Sequence, residues 1–154
     1  MAEAPHRRDP SPIDAACSLC RADGGRLIVR TPFLRVVLVD DADYPGFARV
    51  IWNAHRAELS DLSSEERQRL LDAVLIVEQA QRAQLLPYKI NLASLGNSVP
   101  HLHWHVIPRY FDDAHFPHPI WGMRQRESDP VVVAARRQRV AGLERAIVAA
   151  FGGA

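Results

Sequence analysis

The sequence lacks the features that mark several large classes of protein. It has two cysteines, too few for the disulfide framework of a small secreted domain, and no apolar run approaches the roughly 18 residues of a membrane-spanning helix. The 19 Lys and Arg residues nearly balance the 18 Asp and Glu residues, which argues against a large electrostatic surface for nucleic acid or an anionic membrane. Residues 1–14 are polar and lack the apolar core of a signal peptide. We therefore expect a cytoplasmic protein with neither a membrane nor a nucleic-acid partner.

The length and the segment pattern predict one α+β domain. The 154 residues match one domain, with a flexible arm over 1–14, the main domain over 15–110, and a loop and C-terminal helix over 111–154 that pack on it. A long helix begins after the cap residue Ser63, which forms a capping box with Glu66, and runs to about Gln84. A C-terminal helix starts at Asp129-Pro130. Alternating β-branched segments predict a mostly antiparallel sheet of about five strands, over residues 26–30, 34–39, 47–52, 89–94 and 101–107.

The most informative segment is the predicted strand that contains His101, His103 and His105. These residues alternate with apolar ones, so in a strand the three imidazoles share one face. Three interpretations follow from the residues alone. Neutral imidazole can attack phosphorus and form a covalent intermediate, two histidines at this spacing can share a zinc ion, or the three side chains are simply the wet face of a sheet.

The loop before this strand favours phosphate chemistry. Gly96, Asn97 and Ser98 supply a backbone that permits close approach, an amide and a hydroxyl directly upstream of the histidines. A loop of this kind can surround a phosphate group.

The sequence from Gly96 to Arg109 resembles the signature of the histidine triad family of nucleotide hydrolases and transferases. The resemblance implies an α+β fold, a homodimer and a purine nucleotide substrate. It further implies cleavage at the α-phosphate of dinucleoside polyphosphates or nucleoside phosphoramidates, through a covalent nucleotidyl-histidine intermediate and without a cofactor in catalysis. His103 would be the nucleophile, His105 would hydrogen-bond the phosphate or the leaving group, and His101 would complete the triad.

The resemblance also implies substrate contacts. Gly96 and Ser98 would contact phosphate oxygens, and Asp40 would bind the ribose hydroxyls. Leu38 and Leu19 would lie near the base, and Asn91 would contact the ribose or a phosphate. Asn97 stands where many family hydrolases have Gln, a side chain that helps the leaving group and the attacking water. The shorter Asn97 keeps a second hypothesis open, namely a nucleotide-binding module with little catalysis.

The two cysteines are spaced as half of a metal site, Cys17-x-x-Cys20. The resemblance supplies His55 and His101 as the other two ligands of a structural zinc ion. The alternative is a pair of reduced thiols. A metal-dependent hydrolase that uses the histidine strand itself also remains open.

Other polar residues are predicted to have ordinary surface roles. Arg35, Arg49 and Arg56 could neutralise additional phosphates of a substrate, but we interpret most of these arginines as solvated surface charges. The segment around His115, His118 and Trp121 is predicted to be a surface loop stiffened by proline, with a lid over the site as the alternative.

Overall fold

The computed structural model describes residues 13–152 and confirms the α+β prediction. Five antiparallel strands form one sheet in the order β1-β2-β3-β5-β4. The predicted arm lies outside the described residues except for its last two. The elements are α1 (Ser18–Arg21), β1 (Arg26–Arg30), β2 (Leu34–Leu38), β3 (Ala48–Trp52), a 3₁₀ turn (Leu59–Asp61), α2 (Ser64–Leu85), β4 (Lys89–Ala93), β5 (His103–Arg109), α3 (Pro130–Gln138) and α4 (Val140–Gly152).

The long helix α2 begins and ends at local signals. The Ser63 hydroxyl accepts a hydrogen bond from the main-chain N–H of Glu66, and the Glu66 carboxylate accepts one from the N–H of Ser63. The predicted capping box is therefore present. The helix ends at Leu85, and the C-cap residue Leu86 adopts a left-handed conformation with φ of 51° directly before Pro87.

The sheet has two faces with different roles. One, the helix face, packs against α2 and α4 and forms the main hydrophobic core, with Leu34, Val36, Leu38, Ala48, Val50 and Val106 among its buried residues. Strand residues alternate between faces, so the intervening residues lie on the opposite side. We call that side the histidine face; it carries Val37, Arg49, Ile51, His103, His105 and Ile107.

The single C-terminal helix of the prediction is divided in two at Arg139. The Arg139 N–H donates to the carbonyls of Arg136 and Arg137, which tightens the chain before α4 starts. Leu143 and Ile147 of α4 are fully buried, whereas α3 buries no residue. The apolar stripe continues through the break, so periodicity alone predicted one helix. Among the described residues no helix has the length and apolar character needed to cross a membrane.

Candidate active site and metal cluster

Strand β5 begins two residues later than predicted, which separates His101 from the other two histidines. The main-chain N–H of His101 donates to the carbonyl of Val99 at 2.8 Å in a tight turn, and pairing with β3 starts where His103 lies opposite Ile51. The predicted strand over 101–107 is thus corrected to His103–Arg109. His101 lies in the turn that precedes the strand, and its ring contacts the two cysteines.

His103 is held in the tautomer that a nucleophile needs. Its Nδ1 lies 2.6 Å from the main-chain oxygen of His101. Because a carbonyl only accepts, Nδ1 carries the proton and Nε2 keeps its lone pair. Burial lowers the pKa of His103, the hydrogen bond to His101 opposes this effect, and the nearby Arg49 cation lowers it further. His103 is therefore neutral at pH 7.

His105 lies beside His103 and is also uncharged. The two ring centres are 4.8 Å apart in an edge-to-face arrangement. Burial, the neighbouring His103 and the Arg49 cation together lower the pKa of His105 to about 4. Its Nδ1 is buried and has no hydrogen-bond partner among the described residues. A buried polar atom without a partner costs free energy, so the surroundings of His105 destabilise the free protein locally.

The predicted phosphate loop leaves its polar groups open. Gly96 has a φ of 83°, a left-handed conformation that glycine adopts without strain. Asn97 and Ser98 are exposed, and no hydrogen bond joins either side chain to another residue in the range 13–152. The loop ends at Val99, which packs on the cluster formed by Leu19, Val37 and Ile51 on the histidine face.

The structure separates the predicted base and ribose contacts. Leu19 is buried on the histidine face, whereas Leu38 belongs to the core of the helix face. Asp40 lines a groove of about 560 Å³ together with Arg137 and Glu144 of the C-terminal helices. Because side chains alternate, Val39 is the residue of this segment that packs toward the histidine face, against Tyr44, Phe47 and Ile107. Neither Leu38 nor Asp40 is brought to His103.

Asn91 lies on the histidine face, opposite Ile107, but one of its polar atoms is already engaged. Its Oδ1 accepts a hydrogen bond of 2.6 Å from Arg109. The amide nitrogen remains for a ligand.

Two arginines that we interpreted as solvated surface charges are instead integrated into the site. Arg35 is buried, and its guanidinium donates to the main-chain oxygens of Leu19 and Asp23, which holds α1 and the following turn in place. Arg49 is half-buried and lies directly opposite His105. The sequence contains a signal for the burial of both arginines. Each lies in a strand two residues from an apolar side chain, and residues two apart share a face of the sheet.

The loop over residues 112–121 is anchored by one carboxylate and contacts His105. The Asp113 carboxylate accepts hydrogen bonds from Arg109, from the Tyr44 hydroxyl and from the main-chain N–H of His115. Burial opposes ionisation of Asp113, but the hydrogen bonds from Arg109 and from the main-chain N–H groups of Tyr110 and His115 outweigh it and lower its pKa to about 2. The ring of Trp121 lies 4.9 Å from that of His105.

A cleft of about 710 Å³ separates this loop from strand β4, with Asn91, Ala93, Ile107 and Trp121 among its lining residues. It lies next to His105, so the loop forms a wall of the site rather than a detached surface feature.

The predicted zinc ligands come together as one cluster. One ligand atom from each of Cys17, Cys20, His55 and His101 lies within 4.8 Å of the others. The sulfur–nitrogen distances are 3.4 Å for Cys17–His101, 3.4 Å for Cys20–His55 and 3.5 Å for Cys20–His101. Tetrahedral zinc with its usual bond lengths separates sulfur and nitrogen ligands by about 3.6 Å. The donor set and its spacing therefore fit zinc.

The hydrogen bond made by the other nitrogen of the His101 ring is also what a metal-binding histidine requires. His101 Nε2 lies 2.6 Å from the main-chain oxygen of Trp52, so that nitrogen carries the proton and Nδ1 faces the thiols as a ligand should. Within residues 13–152 no metal-binding group that includes His103 or His105 is present. The arrangement does not favour the alternative of a metal held by the histidine strand itself.

Comparison with known proteins agrees with the resemblance seen in the sequence. The model of the HIT domain family matches residues 24–112. The AP-4-A phosphorylase of Mycobacterium tuberculosis is 29% identical over 128 residues, which cover 75% of this chain and 66% of that protein. A histidine triad protein from Bradyrhizobium japonicum has a similar structure, with a TM-score of 0.70, 28% identity and coverage of 88% of this chain and 99% of the other. A Zn-bound histidine triad family protein from Mycobacterium smegmatis shares the fold at a TM-score of 0.54 and 21% identity, over 85% of this chain and 97% of its own.

Proposed function

Since the chain belongs to the HIT domain family, the histidine triad family, we propose that it is a nucleotide hydrolase or transferase that cleaves its substrate at the α-phosphate through a nucleotidyl-histidine intermediate. The observation that carries this proposal is the bond from His103 Nδ1 to the oxygen of His101. It leaves Nε2 of a neutral, buried imidazole as a nucleophile that requires no base.

The reaction would have two steps. In the first, His103 Nε2 forms a bond to the α-phosphorus, the bond from phosphorus to the leaving group breaks, and the leaving group takes the electron pair. In the second, water attacks phosphorus, the nitrogen–phosphorus bond breaks, and the nucleoside monophosphate and a proton are released.

The protein groups around His103 support these steps. The carbonyl of His101 stabilises the positive charge that develops on the ring when Nε2 bonds to phosphorus. The His105 ring, the Ser98 hydroxyl and the main chain at Gly96 would bind phosphate oxygens or the leaving group. The amide of Asn97 would approach the leaving group.

We further propose that Cys17, Cys20, His55 and His101 hold a structural zinc ion. A set of two thiolates and two imidazoles closes a tetrahedral shell, so the metal would stabilise the fold and take no part in the reaction. His101 is the link between the two sites. Its ring would bind the metal, while its carbonyl orients His103, so a bound metal would also fix the direction of the nucleophile.

The finer substrate class rests on the relatives. A dinucleoside polyphosphate fits the name of the Mycobacterium tuberculosis relative, of which the aligned segment spans 66%, and a nucleoside phosphoramidate fits the family resemblance. We propose a purine base, a homodimer and a cytoplasmic location on the same ground. The second candidate is a nucleotide-binding module with little catalysis, which the short Asn97 side chain favours.

The experiment that tests the proposal is mass spectrometry of the intact protein after a rapid quench that avoids acid, with a diadenosine polyphosphate or adenosine phosphoramidate as substrate. A transient gain of one adenylate in the wild type, absent in His103→Ala, is expected. His118→Ala, an exposed histidine of the loop, is the matched control and should behave as wild type. Normal turnover in His103→Ala would refute the mechanism, and nucleotide binding without product in the wild type would favour the binding module.

A further inference from the structure

Arg49 is a cation inside the site whose charge is not neutralised by any carboxylate of residues 13–152. No carboxylate of the described residues lies within ion-pair distance of its guanidinium; the closest polar partner given by the structure is the main-chain oxygen of Gly24, which accepts from Nη1 at 2.8 Å. Its Nε is buried without a partner in the same part of the chain. Arg35, another arginine of this face, has main-chain oxygens as partners for both ends of its guanidinium.

The position of Arg49 joins it to the reaction centre. It lies directly opposite His105 in the β3–β5 register, where side chains on the same face have Cβ atoms about 5 Å apart. Its guanidinium carbon is 5.9 Å from the ring centre of Phe47, and the Phe47 ring is 5.7 Å from that of His105. The charge is thus held beside the imidazoles rather than in bulk water.

A half-buried cation without a counterion destabilises the free protein, because burial removes water from the charge and the single carbonyl of Gly24 replaces only part of that hydration. The carboxylate that the family resemblance placed near the ribose does not relieve this, since Asp40 lines the groove on the helix face and Val39 occupies the histidine face. The Asp113 carboxylate at the base of the loop is already paired with Arg109, so the Arg49 charge remains available to an anionic ligand.

We propose that Arg49 binds a phosphate oxygen of the substrate and thereby makes the phosphate chain, more than the ribose, the main determinant of recognition. This inference rests on the proposed function and names the group that its site recognises. A guanidinium bonded to a phosphate oxygen makes a charge-assisted hydrogen bond, and in a site partly shielded from water such bonds are among the strong ones. Arg49 is then a binding residue of this site in addition to the histidines and the Gly96–Ser98 loop.

The test compares AMP with adenosine as calorimetric binding probes of the full-length protein. The two probes differ only in the phosphate, so the ratio of their affinities reports phosphate recognition. The wild type is expected to bind AMP at least ~10-fold more tightly than adenosine. Arg49→Gln is expected to lose ~10- to 100-fold of its AMP affinity, which is the range for the loss of a hydrogen bond to a charged group. Its affinity for adenosine should stay within ~2-fold of the wild type. Arg49→Lys keeps the charge and should recover part of the loss.

The control is Arg145→Gln, which removes the same charge from an exposed position on α4 and should leave both affinities unchanged. Thermal unfolding of each variant checks the fold, and Arg49→Lys serves as the second variant if the glutamine variant does not fold. An unchanged ratio in Arg49→Gln, or equal weakening of AMP and adenosine, would overturn the inference. A wild type that binds neither probe would overturn the proposed function and this inference with it.

Discussion

The protonation of His105 should make the folded protein sensitive to moderate acid. His105 is buried, and its pKa falls from the ordinary 6.5 to about 4, first through burial and then through His103 and Arg49. Between pH 6.5 and about pH 4, the unfolded chain therefore binds a proton at His105 that the folded protein does not bind. A group of this kind contributes stability that is fully present above pH 6.5 and is lost as the pH falls toward 4.

The magnitude follows from the size of the shift. One pKa unit corresponds to about 1.4 kcal/mol, so the full loss is about 3 kcal/mol, of which about 2 kcal/mol is lost by pH 5. Urea unfolding at pH 7.5 and at pH 5 measures the free energy of unfolding in the wild type and in His105→Gln, which cannot take up this proton. The wild type should lose about 2 kcal/mol more than the variant over this interval.

The matched control is His118→Gln, since His118 is exposed and its replacement should leave the pH dependence of the wild type unchanged. Other acid-sensitive groups, including the thiols and imidazoles of the metal cluster, contribute equally to the wild type and to His105→Gln, so the difference between them isolates His105. Equal losses in these two proteins would refute the argument that His105 is held neutral by its surroundings.

Three further substitutions test other parts of the structure. Asp113→Asn should lower the free energy of unfolding by about 3–5 kcal/mol, because it leaves the buried Arg109 without its counterion; a chemical denaturation curve that matches the wild type would contradict this role. Cys20→Ala should abolish stoichiometric zinc in metal analysis of the purified protein and reduce turnover, since His101 loses its fixed position; full zinc content in the variant would count against the four-ligand site. Trp121→Ala should change the KM values of substrates that differ in leaving group while circular dichroism stays that of the wild type, and identical KM values for all leaving groups would show that the loop takes no part in selection.

The features that could be predicted from the sequence are those set by local rules. The capping box at Ser63 and the alternation around His103 depend on residues a few positions apart, and both are found in the structure. The meeting of Cys17 with His101 was anticipated only through the family resemblance, since 84 residues separate them.

The features that could not be predicted depend on contacts between distant segments. Charge alone describes Arg35 as a surface residue, and its burial follows from main-chain oxygens that α1 and the next turn bring to it. The side of the sheet on which Asp40 lies depends on where β2 ends, and a difference of one residue moves a side chain to the other face. The contact of Asp113 with the Tyr44 hydroxyl joins residues 69 positions apart, so no local pattern predicts it.

The anchoring of the loop at Asp113 separates the stability of the loop from its contact with the site, two properties that are often linked in enzymes. The fixed contacts lie at the base of the loop, whereas Trp121 near its end reaches the site with half of its surface exposed. The Trp121 side chain can therefore be exchanged without removing the contacts that keep the loop folded. A library randomised at this position, with Asp113 retained, would sample new leaving-group preferences among variants that still express and fold, which makes Trp121 a suitable position for laboratory selection.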